Sequence, residues 1–383
     1  MSLEEDVYCR LHLNSPPGGW FPVLHELTLC ITESNLPFAG MFFSSHLKIS
    51  ISTTWSRSNS KIPSDILPAL ASTISALPAS ALQSLFMDVD HRGVPWAYFK
   101  DSLSPVVLRC GPSLRQLTSP IPLSDAATNH LIQLPHLHSW HAEGPPPSYS
   151  ASPLPLDFPP LIDFTLGAGV ACEWLSLFER LEDRVSSTQG MTPLSRLKES
   201  LIYLNINSFP GPVIDVSFTS SIQRFGNLVD LDIRVHCYDE YGEGQCAFNL
   251  NNNNVTELAM ALPQLELLVL GHPCPDNTCA TTVGCLLLVS VLCVRLEELQ
   301  IHFNTTDTVD DLKNMLIDPR FQEIRSLPRC PLTQLDVFET PLDLDESDFE
   351  TVALGMIDIF PSLETCEGLE DIWDELFVEF AGL

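Results

Sequence analysis

His272, Cys274, Cys279 and Cys285 follow one another as H-x-C-x4-C-x5-C. Imidazole and thiolate are the ligands of tetrahedral zinc, and a thiol beside an imidazole is the start of a nucleophile. The spacing fits no common zinc-ligand pattern, so the thiols read as core or loop residues. Asp88, Asp90 and His91 in "MDVDHRG" offer further donors, in what reads as a polar strand-to-helix loop. In "LGAGVACEW" Gly167 and Gly169 begin a nucleotide-binding pattern whose third glycine is missing. Neither a G-x-S-x-G elbow nor an H-E-x-x-H helix occurs. The sequence therefore predicts a non-enzyme with no cofactor and no metal.

The stretch that leads into His272, "ALPQLELLVL", has a different logic. Leu265, Leu268 and Leu270 fit L-x-x-L-x-L, and the template recurs along the 383 residues. Its first positions are 24, 82, 114, 137, 161, 201, 228, 265, 296, 332 and 363. Some copies are degraded, such as Leu137, Trp140 and Ala142, or Leu363 with Cys366. The spacing is uneven, from 23 residues (114 to 137) to 58 (24 to 82). Inside the longest gap Leu47, Ile49 and Ile51 alternate, which predicts a twelfth, divergent strand.

Proline often stands just before the template, at Pro22, Pro78, Pro112, Pro135, Pro160, Pro263, Pro331 and Pro361. Helical patterns precede many of them. Asn254 with Glu257, and Ser347 with Glu350, have capping-box spacing, and Asp125–Leu134 runs into Pro135. Trp174, Leu177, Phe178 and Leu181 recur at helical spacing. The unit is thus helix, proline-marked turn, short strand, loop. One unit cannot bury its apolar face, but stacked units can, with their strands in a parallel sheet.

Composition narrows the partners. Forty-nine acids against nineteen Lys and Arg give a net charge of −30. That argues against nucleic acid and against anionic membrane surfaces. Twelve Cys are too sparse for a disulfide scaffold at this length. The opening "MSLEEDVYCR" is acidic and has no apolar core, and the longest apolar run, Cys285 to Val294, is about half a membrane span. The expectation is a cytoplasmic or nuclear protein with reduced thiols. The sequons at Asn254 and Asn304 then read as chance.

The strand segments "FPVLHELTL", "LPHLHSW", "FPPLIDFTL", "FGNLVDLDI", "LPQLELLVL", "RLEELQI" and "FPSLETC" resemble leucine-rich-repeat proteins of the ribonuclease-inhibitor-like type. More narrowly, the chain is similar to the F-box/leucine-rich-repeat proteins abundant in mushroom-forming fungi. The resemblance covers about residues 20 to 370. It implies an α/β solenoid of about eleven or twelve irregular repeats, each a helix plus a short parallel strand. An F-box docks on a Skp-type adaptor. Here the template starts at Leu24 and leaves no room for one before it, so that partner is expected only if an F-box lies upstream.

In such a solenoid the residues flanking the inward strand positions face the concave sheet surface. Carried onto this sequence, they are Glu26, Phe86 and Asp88, then Gln116, His141 and Asp163. Tyr203, Asn205, Asp230, Asp232 and Arg234 follow. The last repeats supply Glu298, Gln300 and His302, then Gln334, Asp336 and Phe338. Acids, amides and aromatics in this mixture suit a protein surface. Leu267 and Val269 make "LELLVLG" apolar on both faces, and a strand buried on both sides is expected.

Residues 1–20 read as a flank or first strand, 21–338 as the solenoid, and 339–383 as the last repeat with an acidic helical cap. Glu339 to Glu379 holds fourteen acids, and no Lys or Arg follows Arg329. The expected function is a monomeric, non-catalytic protein-interaction scaffold, the substrate-recognition part of an F-box ubiquitin ligase. Two alternatives stand beside it. One is an acidic binder or chaperone of basic proteins such as histones. The other is a GTPase regulator, for which Arg234 would be the exposed arginine.

Overall fold

The computed structural model describes residues 26–31, 48–53, 66–88, 96–147, 158–167, 170–185, 194–208, 216–235, 250–271, 280–304, 308–319, 323–324, 326–337 and 346–367. Contacts divide the chain into two compact units. The first comprises 1–170 with 181–197, and the second 171–180 with 198–383. In each unit six strands follow one another in chain order, and every described pairing is parallel.

The first unit holds β1 (Glu26–Ile31), β2 (Lys48–Thr53), β3 (Ser84–Asp88), β4 (Gln116–Thr118), β5 (Ser139–Ala142) and β6 (Asp163–Leu166). The second holds β7 (Tyr203–Ser208), β8 (Asp230–Val235), β9 (Leu267–Leu270), β10 (Glu298–Ile301), β11 (Gln334–Asp336) and β12 (Thr365–Glu367). All eleven copies of the leucine template lie on strands or lead into them, and Ile49 and Ile51 of the divergent segment lie on β2.

The middle template position stays in strict register. In the first unit Leu27, Ile49, Leu85, Leu117, Trp140 and Phe164 are successive partners. In the second Leu204, Leu231, Leu268, Leu299, Leu335 and Cys366 are successive partners. All twelve are buried. Side chains of a strand alternate between faces, so a fixed register stacks one apolar column per unit. Trp140 and Phe164 pack as tilted rings 5.5 Å apart, so aromatic volume replaces leucine in two adjacent strands.

Helices carry the rest of each repeat. In the first unit they are α1 (Ile66–Ser75), α2 (Lys100–Arg109) and α3 (Asp125–Ile132). Ser124 caps α3, its hydroxyl accepting from the Ala127 N–H at 3.3 Å. Next come α4 (Ala171–Val185), which opens in the second unit, and α5 (Ser195–Ser200). The second unit continues with α6 (Val216–Ile222), α7 (Asn252–Ala261), α8 (Gly284–Leu292), α9 (Thr308–Ile317) and α10 (Glu346–Ile359). Trp174, Leu177, Phe178 and Leu181 line the buried face of α4, as their spacing predicts.

Two helix starts differ from the sequence reading. Asn251, not Asn254, caps α7, and the two exchange capping-box hydrogen bonds. Four consecutive asparagines offer interchangeable caps, so composition alone does not choose among them. Ser347 lies inside α10 and not before it. The apolar run from Cys285 lies in α8, a nine-residue helix, as far as Leu292. Among the described residues no helix is long and apolar enough to cross a membrane.

Side chains also tie neighbouring repeats together ahead of their helices. The Thr282 N–H donates to Asn252 Oδ1 at 2.8 Å, and Asn252 Nδ2 donates to Thr282 Oγ1 at 2.9 Å. Parallel bridges join Asn251 to Ala280 and Thr282 to Asn304. Leu268, fully buried at the centre of β9, tests the column. Leu268→Ala is expected to lower the unfolding free energy by about 2–5 kcal/mol in urea titrations. A loss below about 1 kcal/mol would mean that the column does not carry the second unit.

Candidate protein-binding face

The strand positions between the buried ones form the open face of each unit. In the first unit Glu26 and Lys48 are register partners, both exposed. Phe86 is 44% exposed. Gln116 is exposed, and its Oε1 accepts from the Ser84 hydroxyl at 3.0 Å. Half-buried Asp163 accepts from the Ser139 hydroxyl through Oδ2 at 2.8 Å. Asp88 ends β3, and its side chain lies outside the described residues.

His141 and Glu143 form a half-buried pair, Nε2 to Oε1 at 2.7 Å. A Cβ on Gly167 would collide with the Glu143 carboxylate, so glycine there lets the pair close. The pair borders a cavity of about 10 Å³ whose lining includes Trp140 and Ser119. That volume holds about one water molecule. Sequence reasoning singled out His141 and missed Glu143. Their i, i+2 spacing at a strand end was the available signal. Lys48 was missed although the alternation around Ile49 had marked β2.

In the second unit Tyr203, 46% exposed, is the register partner of half-buried Asp230. Next to them a chain of hydrogen bonds crosses the face. Asn205 Nδ2 donates to Asp232 Oδ2 at 3.1 Å. Arg234 Nε donates to Asp232 Oδ1 at 3.0 Å, and its Nη2 donates to Gln300 Oε1 at 3.4 Å. Gln300 Nε2 donates to Glu298 Oε1 at 2.8 Å. The chain runs from β7 through β8 to β10 and passes over β9.

Two features of β9 permit the crossing. Val269 is the register partner of both Asp232 and Gln300, and it is fully buried. Beyond Leu270 comes Gly271, whose φ of 116° suits glycine and which presents no side chain. The expectation that "LELLVLG" is buried on both sides holds for Val269, while Leu267 is half-buried.

No protein-family model matches the chain, and no curated protein matches its sequence.

The remaining residues of the expected face divide. Gln334 is exposed and Asp336 half-buried on β11. His302, at 1% exposed, is buried and so does not offer itself to a partner. β10 ends at Ile301, and past a strand end the alternation of faces no longer applies. Phe338 lies outside the described residues. So do Asp90, His91, Gly169, His272, Cys274 and Cys279, while Cys285 is buried in α8. Among the described residues no group of three or more His, Cys, Asp or Glu is arranged to hold a metal ion. Arg234, which a GTPase-assisting role would need, has its guanidinium engaged by Asp232 and Gln300.

Electrostatics follow from burial. Desolvation pushes the Asp232 carboxyl above its ordinary 3.8, the Arg234 charge and hydrogen bond pull it back, and Glu298 adds a smaller upward push. The Arg234 side chain is 46% exposed, so its ion pair contributes at most about 1 kcal/mol. Burial also pushes the thiols of Cys110 and Cys330 up to about 11 and that of Cys293 up to about 12. A thiol so raised is a poor nucleophile at neutral pH.

Two outcomes follow. Iodoacetamide at mildly alkaline pH is expected to label exposed Cys172 and spare Cys110, Cys293 and Cys330 until urea unfolds the chain, as read by peptide mass mapping. Labelling of Cys293 in the folded protein would overturn its placement. A carboxyl with a raised folded pKa destabilises the fold when ionised; the cost is absent below the unfolded value of 3.8 and full above the folded pKa. Asp232→Asn is therefore expected to gain stability relative to the wild type as pH rises from the acid side to neutral. Urea titrations across that range check it, and the opposite trend would refute the burial of an ionised Asp232.

Proposed function

We propose that the chain is a non-catalytic protein-interaction scaffold of the leucine-rich-repeat kind, and that it binds its partner on the open strand face. One observation carries the reading: fixed register in each unit sets the intervening side chains in rows, on which Phe86, Gln116, Tyr203 and Gln334 are exposed while the leucine columns are buried. Exposed aromatics on those rows, Phe86 and Tyr203, are the residue types that anchor protein interfaces. The surrounding acids and amides supply a polar rim.

We further propose that the chain serves as the substrate-recognition region of an F-box-type ubiquitin-ligase subunit, working in the cytoplasm or nucleus. The repeat style of its strand segments supports this. A Skp-type adaptor would then be engaged through an F-box upstream of Leu24. The working form in this reading is a monomer.

Affinity purification of the full-length transcript's product from its own cells tests both statements. Wild type and Met260→Ala, altered on the outer surface of α7, are expected to retain the same partners. The triple variant Tyr203→Ala, Asp230→Ala, Gln334→Ala is expected to lose the substrate partner and keep Skp and cullin subunits. Unchanged retention by the triple variant would sink the open-face reading. Absence of Skp and cullin from every sample would sink the ligase reading and leave the scaffold reading standing.

A further inference from the structure

We propose that the open face of the second unit takes a basic, arginine-bearing peptide segment, and that Arg234 occupies the guanidinium seat until the segment displaces it. The inference rests on the reading of this face as a protein-binding surface and names the chemistry of what it binds.

The seat is defined by what holds Arg234 now. Its walls are the Asp232 carboxylate, 3.0 Å from Nε, and the Gln300 amide oxygen, 3.4 Å from Nη2. Its floor is Val269, fully buried between their strands. A planar guanidinium with several fixed donors matches a carboxylate and an amide set apart over an apolar floor; a compact ammonium does not. The bound group is thus an internal example of the ligand. Arg234 lies two residues from Asp232 and is half exposed, so side-chain rotation alone can vacate the seat.

Charge selects the sign of the partner. Among the described open-face positions of this unit Asp230, Asp232, Glu298 and Asp336 face one cation, Arg234. An acidic segment would be repelled, and the chain as a whole carries −30. Tyr203, 46% exposed, offers a cation an aromatic face on the same side. Strands about 4.8 Å apart present these groups in rows, so an extended segment running across the strands meets them in turn.

Fluorescein-labelled peptides of Arg-Gly-Ser repeats, with Lys and Asp counterparts, provide the probe, read by anisotropy on the full chain. The Arg peptide is expected to bind about tenfold more tightly than the Lys peptide, because paired charge-assisted hydrogen bonds favour guanidinium. The Asp peptide is expected not to bind. Asp232→Asn weakens the Arg peptide about tenfold, and Tyr203→Ala reads the same face should Asp232→Asn fold poorly. Arg234→Ala tightens it about threefold or more, since a tethered competitor is gone. Glu257→Gln, on exposed α7 surface, leaves binding unchanged.

Equal binding of the Arg and Lys peptides would reduce the effect to general charge attraction and overturn the proposal. Weakening by Arg234→Ala would overturn it too, as would an Asp232→Asn effect no larger than that of Glu257→Gln. A cellular partner lost with the open-face triple variant but indifferent to salt and to Arg234→Ala would sink this inference while the scaffold reading survives. A cellular partner indifferent to the triple variant would sink the reading underneath.

Discussion

The rest of the structure depends on parallel pairing without a register slip. Six strands in each unit keep one template position aligned, and each aligned residue is buried. A slip of one residue would turn a strand's leucines outward and its acids inward. The constraint acts on position more than on identity. Leu, Ile, Trp, Phe and Cys all occupy the aligned column, because apolar volume on the correct face is what each site requires. The open face inherits its order from the same constraint, as the other half of the alternation.

This explains what could be read from the sequence. The leucine template depends on a period of two over a few residues, so it located the strands, including β2 inside the longest gap. The α4 pattern was equally legible, because a buried helix face repeats every three to four residues. Most open-face residues were found by interpolation between buried ones. His302, one residue beyond β10, is buried, which interpolation along the strand does not reveal. The cap of α7 was missed because adjacent asparagines are chemically equivalent until the turn forms.

The polar chain from Asn205 to Glu298 belongs to a different class. Arg234 and Gln300 are sixty-six residues apart and on strands that are not neighbours. No local spacing announces such a contact. It passes over a buried valine on the strand between, with a glycine just past that strand's end, two residues that no local pattern marks. The His141–Glu143 pair sets a similar lesson at short range, since Gly167, from another strand's exit, leaves the room for it. Sites of this kind form where the repeat departs from its own template.

The uneven spacing of the template has a consequence for how such a chain can change over generations. The separation between aligned residues is as short as 22 positions, from Leu27 to Ile49, and as long as 37, from Leu231 to Leu268, yet the column does not shift. Loop closure costs little more for each added residue, whereas one residue inserted within a four-residue strand inverts its faces. Insertions and deletions should therefore accumulate between strands and be purged within them. Length variation becomes a channel through which new segments can be brought beside the open face without disturbing the scaffold that presents it.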